Sequence, residues 1–123
     1  MFYYAASPAA AASETVWIFT RFSPGLLRPL QHGQRFTIRG MPLGGHTEVT
    51  LAAVHFPSKH WSDDSQAFDC VALARAIAEA EKSVGHDRAI LVGDQNMNPF
   101  ESGVVGASGR LERLVRFAFG YLP

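Results

Sequence analysis

A long amphipathic helix stands between two apolar strands, and that order leaves few folds open to this chain. Between Ser65 and Val84, the residues Cys70, Leu73, Ile77, Ala80 and Val84 recur at spacings of three and four. That is the period of a single apolar helical stripe. Asp69, Arg75, Glu79 and Lys82 fall off the stripe. Ser62, Asp63, Asp64 and Ser65 supply capping oxygens and negative charge for the positive end of the helix dipole, and Gly85 is a natural C-terminal cap. Upstream, Thr47–His55 becomes apolar on both faces towards its end, as a covered central strand does. Downstream, Arg88–Val92 reads as a short buried strand. Strand, long crossover helix and strand predict a right-handed βαβ unit with its two strands parallel. Ligands of such units bind at the carboxyl ends of the strands. His55 closes the first strand, and Asp94 and Asn96 follow the second. A carboxylate and a carboxamide side by side at a strand end can hold a water or a metal against a phosphate.

The rest of the chain is less regular. Residues 1–14, rich in alanine, are expected to be a flexible lead-in. Thr15–Phe22, β-branched and aromatic, reads as a strand stopped by Ser23-Pro24-Gly25. Arg35–Arg39 alternates, with Phe36 and Ile38 on one face and Arg35, Thr37 and Arg39 on the other, as in a half-exposed strand. Gly40 to Gly45, with Pro42 between, is expected to be a turn. Residues 110–123 carry two periodicities. Leu111, Leu114, Val115, Phe119 and Leu122 suit a helix, whereas Phe117, Phe119 and Tyr121 suit a strand, and both readings stay open.

Composition narrows the function. A chain of 123 residues with 47% hydrophobic content has room for one domain with a real core. Eleven basic and eleven acidic residues cancel, which argues against sequence-independent nucleic-acid binding by bulk charge. Neutrality leaves a small phosphate ester open as a substrate. The lone Cys70 has no intramolecular disulfide partner and sits on the helix stripe, so it is expected to be packed in the core of a protein from a reducing compartment. The N-terminal apolar run lacks basic residues and is interrupted by Pro8, and no window is long enough to span a bilayer. A cytoplasmic location with no membrane partner is the expectation. His32, His46, His60 and His86 fall in loop contexts and are expected to be solvated. Trp61 reads as a loop aromatic covering the sheet, and Asp63 and Asp64 as helix-start residues in preference to metal ligands.

Three segments carry a family resemblance. Phe19-Thr20-Arg21-Phe22-Ser23-Pro24, Val54-His55-Phe56-Pro57-Ser58-Lys59 and Ile90-Leu91-Val92-Gly93-Asp94-Gln95-Asn96-Met97-Asn98-Pro99 occur in that order. Together they resemble the endonuclease/exonuclease/phosphatase family, the DNase I-like phosphoesterases. The first is similar to that family's sR-x-P strand end, the second to its vHlpSk segment and the third to its vilvGDfNmnP signature. Gln95 departs from it, standing where the family has an apolar or aromatic residue. The likeness runs from about Val16 to Gly109, which divides the chain into the lead-in 1–14, a family-like part 15–109 and a divergent tail 110–123.

The resemblance implies an α+β (α/β) fold, part of a DNase I-like β-sandwich flanked by helices and built around the βαβ unit. It implies divalent-metal-dependent hydrolysis of phosphoesters, as a nuclease or a phosphatase. Asp94 resembles the carboxylate that orients and deprotonates the attacking water. Asn96 resembles the amide that positions that carboxylate and bonds the phosphoryl oxygens. His55 resembles a histidine that bonds the phosphate or assists proton transfer. Mg²⁺ or Mn²⁺ is the implied cofactor, with Asp94 as one contributor to its binding. The family's early asparagine, its metal-binding glutamate and its C-terminal Ser-Asp-His have no counterpart here; Glu14 and Glu101 stand in the wrong context. These departures predict the central portion of such a domain, either an active phosphoesterase or an inactive remnant that serves as a binding or interaction module. A phosphoester, nucleic acid among the candidates, is the expected partner. Open sheet edges predict self-association. Specificity in such folds resides in loops, so one sequence does not name the substrate.

Overall fold

The structure is a computed structural model that describes residues 3–5, 16–45, 47–56 and 63–94. Its centre is a four-stranded mixed sheet with one long helix, a small α+β fold. In chain order the elements are β1 (Tyr3–Ala5), β2 (Ile18–Thr20), a 3-10 turn at Pro24–Leu26, β3 (Arg28–His32), β4 (Phe36–Leu43), β5 (Thr47–His55), α1 (Asp63–Val84) and β6 (Ala89–Asp94). The strands of the main sheet run in the order β3-β4-β5-β6, and β1 pairs with β2 in a separate two-stranded ribbon. Antiparallel pairing joins β3 to β4 and β4 to β5. β5 and β6 are parallel, as the crossover helix requires.

The helix forms where the stripe predicts it. Cys70, Leu73, Ile77 and Ala80 are fully buried, and Ala74 joins them. Across from them stand Ile38, Ala52, Val54 and Leu91 of the sheet, with Phe56 closing the cluster. Arg75, Glu79 and Lys82 are exposed on the other side. Gly85 ends the helix with φ +77, and its N–H donates to the Glu81 carbonyl at 2.9 Å. Glycine adopts that left-handed conformation without a Cβ penalty. No described helix is long and apolar enough to cross a membrane.

Several expectations are corrected. The alanine-rich lead-in contains a strand, β1, whose Tyr3, Tyr4 and Ala5 pair with Thr20, Phe19 and Ile18. The rest of residues 1–14 and all of 110–123 lie outside the described residues. β2 is shorter than Thr15–Phe22. β4 runs through the expected turn as far as Leu43, with Gly40, Met41, Pro42 and Leu43 paired to Thr50, Val49, Glu48 and Thr47. Pro42 is tolerated because β3 pairs no further along β4 than Gly40. Beyond that point no described strand on the β3 side needs the missing N–H. β3 has no alternating pattern and contains Pro29, and its register shifts between Pro29 and Gln31. Such interruptions suit an outer strand.

The half-exposed reading of Arg35–Arg39 also gives way. Thr37 is completely buried and Arg39 nearly so. The 3-10 turn packs against β4, and Leu27 just after it is buried, so the face of β4 opposite α1 is covered as well. His32 and His86 are half-buried instead of fully solvated. His32 Nδ1 shares a 3.0 Å hydrogen bond with the Thr37 hydroxyl. The side chain of His86 is only 10% exposed and places Nε2 3.7 Å from the Glu48 carboxylate. Its Nδ1 accepts from the Arg88 N–H at 3.3 Å. Glu48 is a junction: Arg28 donates to its carboxylate at 2.7 Å, and Arg88 Nε donates to its carbonyl at 3.1 Å. These contacts tie the start of β6 to the β4–β5 hairpin.

Burial, and after it the positive charge of Arg39, hold the His32 imidazolium below its ordinary pKa of 6.5. The unfolded chain therefore takes up this proton first as pH falls. Stability from His32 is present above about 6.5 and is lost as pH drops towards the depressed folded value. Urea midpoints taken at pH 7.5 and pH 5.5 check this. The midpoint is expected to fall less on acidification in His32→Gln than in the parent, and an equal fall in both would refute it.

Candidate functional site

β5 delivers His55 and β6 delivers Asp94. The register aligns Thr50 with Ala89, Leu51 with Ile90 and so on up the pair, and its last match is His55 with Asp94. Adjacent strands lie about 4.8 Å apart, so the two residues stand as neighbours at the carboxyl ends of parallel strands. Both are exposed. Their backbones are held from two sides. The His55 N–H donates to the Arg35 carbonyl at 2.9 Å, and the Phe56 N–H donates to the Asp94 carbonyl at 2.9 Å. A rigid ladder thus ends in two polar side chains that face water.

Gly93, just before Asp94, stands where only glycine fits. Its φ is +123, and a Cβ built there would overlap the carbonyl oxygen of Val54 on β5. The absence of a side chain lets β6 keep its pairing with β5 up to Asp94. One residue earlier in the chain, Val92 is exposed and lines a groove of about 390 Å³ together with Leu51, Ala53, His55, Trp17 and Phe19.

Of the three residues picked out from the sequence, the structure brings His55 and Asp94 together. Asn96 lies outside the described residues, as do Gln95 and Glu101. The neighbouring aromatics, Trp17 and Phe19, are not evident as part of a site from the sequence. Their signal is two aromatic residues two positions apart, and within Thr15–Phe22 that reads as strand-forming character alone. Cys70 is buried in the core, away from this site.

A bound Mg²⁺ or Mn²⁺ needs donors that converge. Among the described residues, no group of three or more His, Cys, Asp or Glu side chains does so. Mg²⁺ is held in phosphoryl sites by one or two carboxylates together with substrate oxygens and water. Asp94 supplies one such carboxylate. The described residues do not by themselves complete a protein-held metal site. Compared with protein-family models, with curated proteins and with solved structures, this chain matches none.

Proposed function

We propose that the chain is a phosphoester hydrolase of the endonuclease/exonuclease/phosphatase type, built on part of a DNase I-like sandwich. The observation that carries this reading is the register of His55 against Asp94 at the carboxyl ends of two parallel strands. Asp94 accepts the proton of a water placed against phosphorus, and the His55 imidazole donates to a phosphoryl oxygen or to the leaving oxygen. Asn96, two residues beyond Asp94 in the chain, is assigned the orienting amide by resemblance. Positioned acid–base groups contribute about 10²–10⁴-fold each. Electrostatic stabilisation of the transition state usually contributes more, and the resemblance assigns that part to a divalent cation.

Hydrolysis of bis-(p-nitrophenyl) phosphate and of plasmid DNA, each with Mg²⁺, with Mn²⁺ and with EDTA, tests the proposal. Cation-dependent turnover supports it. A folded sample with no turnover on either substrate overturns it in favour of the second reading, an inactive remnant acting as a binding module. That reading draws on the lack, in the sequence, of counterparts to the family's metal-binding glutamate and its Ser-Asp-His.

Self-association belongs to the same picture. Among the described residues, β3 and β6 are the outer strands of the sheet. β3 is blunted by Pro29 and a register shift, whereas β6 carries Ile90, Leu91 and Val92 without such protection. Size-exclusion chromatography is expected to show a species larger than the 13.4 kDa monomer. A clean monomer at every concentration counts against open edges.

A further inference from the structure

His86 follows the glycine that ends α1 and stands two residues before Arg88. There the chain meets β5, for the Thr50 N–H donates to the Arg88 carbonyl at 2.7 Å. One hydrogen bond of the His86 ring fixes where its proton lies. Nδ1 accepts from the Arg88 N–H at 3.3 Å, so Nδ1 is bare and the neutral ring carries its proton on Nε2. Nε2 has no hydrogen-bond partner among the described residues. It stands 3.7 Å from Oε1 of Glu48 on β5, beyond hydrogen-bond reach. Only 10% of the His86 side chain and 28% of the Glu48 side chain are exposed, so an attraction between them is less screened than at an open surface.

We propose that His86 is a pH-sensitive clamp at the root of β6, holding Arg88 of its own turn when neutral and Glu48 of β5 when protonated. A second proton enters at Nδ1, because Nε2 already has one. The imidazolium is a donor at both nitrogens. Nδ1–H then meets the Arg88 N–H, donor against donor, and that bond is lost. On the other side of the ring the positive charge draws Nε2–H onto the Glu48 carboxylate, and a charge-assisted bond closes the gap.

The neighbours allow this exchange. Arg28 donates to the same Oε1 at 2.7 Å, but a carboxylate has two oxygens and accepts more than one donor. Arg88 keeps a hold of its own on β5, where its Nε donates to the Glu48 carbonyl at 3.1 Å. The other charged groups beside His86 are Glu79, Glu81 and Lys82 of α1 and the adjacent Asp87, which line one cleft with it. Their carboxylates attract the charged ring and Lys82 repels it. None of these residues belongs to the strand ends at His55 and Asp94, so the clamp stands or falls apart from the hydrolase reading.

Nuclear magnetic resonance of the whole chain tests it. At pH 8 the imidazole nitrogen shifts are expected to show the Nε2–H tautomer. On acidification the Arg88 amide proton is expected to move upfield in step with the titration of His86, and to show no such step in His86→Gln. A double-mutant cycle of His86→Gln and Glu48→Gln, read by urea unfolding, reports the new pairing. The coupling in the unfolding constant is expected to be about threefold or more larger at pH 5 than at pH 8, the size of one added hydrogen bond. His32 is common to all four chains of the cycle, so its own titration cancels. An Nδ1–H tautomer at pH 8, an Arg88 amide indifferent to His86, or equal coupling at both pH values overturns the clamp.

Discussion

Replacing Asp94 by asparagine is expected to lower phosphodiester turnover by about 10²–10⁴-fold, or roughly 3–5 kcal/mol of transition-state stabilisation. The amide keeps the size and the hydrogen-bonding reach of the carboxylate but is too weak a base to take a proton from water. Asp94 is exposed at the end of β6, so the urea midpoint is expected to stay within about 0.5 kcal/mol of the parent. The two readouts together distinguish lost chemistry from lost fold. Turnover that persists in Asp94→Asn would remove this residue from the reaction, and with it the reason for placing the site at this strand end. His55→Gln is the partner experiment, since glutamine can donate to a phosphate oxygen but cannot shuttle a proton. A fall in turnover with KM little changed would assign His55 to proton transfer, whereas a rise in KM alone would assign it to binding.

Gly93→Ala is expected to be the most damaging single-methyl change among the described residues. Two costs coincide there. The backbone sits at φ +123, and the added Cβ meets the Val54 carbonyl oxygen, with Val54 N and C also within 3.0 Å. None of these is a flexible side-chain atom that can swing away; all belong to the backbone of the adjacent strand. Relief requires β6 to move off β5, which breaks the pairing that sets Asp94 against His55. A loss of about 3 kcal/mol or more follows. Gly45→Ala and Gly85→Ala are the controls. Both positions have φ +77 but open space around the missing Cβ, so each is expected to cost about 1–2 kcal/mol, the left-handed penalty alone. Urea denaturation of the three variants decides the matter. A Gly93→Ala loss no larger than that of the controls would mean that the strands can separate cheaply, and the rigid base of the site would be lost with that result.

The contrast between these glycines shows how much a local pattern can carry. That Gly85 caps α1 was legible, because the helix stripe ends at Val84 and a cap depends on its own chain segment. That Gly93 must be glycine was not, because the obstacle is Val54, far away in sequence and adjacent in space. The same division runs through the strands. β5 and β6 were readable as strands from apolar runs, and their parallel pairing from the length of the crossover. The buried reading of Arg88–Val92 fails, however: β6 ends the order of the described sheet, so only its Leu91 is buried and Val92 is exposed. β3 was not, since Arg-Pro-Leu-Gln-His has no alternation and owes its strand to the partner β4. Polar Thr37 and Arg39 suit a solvent face on the sequence alone, because charge and hydroxyl usually face water. Their burial depends on packing around β4 from segments elsewhere in the chain.

By itself, then, the sequence determined one long helix with its buried stripe, two strands parallel across it, a packed Cys70 and two polar residues at strand ends. Each of these follows from a period or a stop signal within one segment, where the physics is local. The tertiary structure alone decided that His55 and Asp94 are register partners, that β4 is covered on both faces, that His86 and His32 are half-buried, and that Trp17 and Phe19 line a groove together with His55. Register and cover are settled between segments distant in sequence. Their free energy lies in cross-strand contacts and excluded water that no single segment contains.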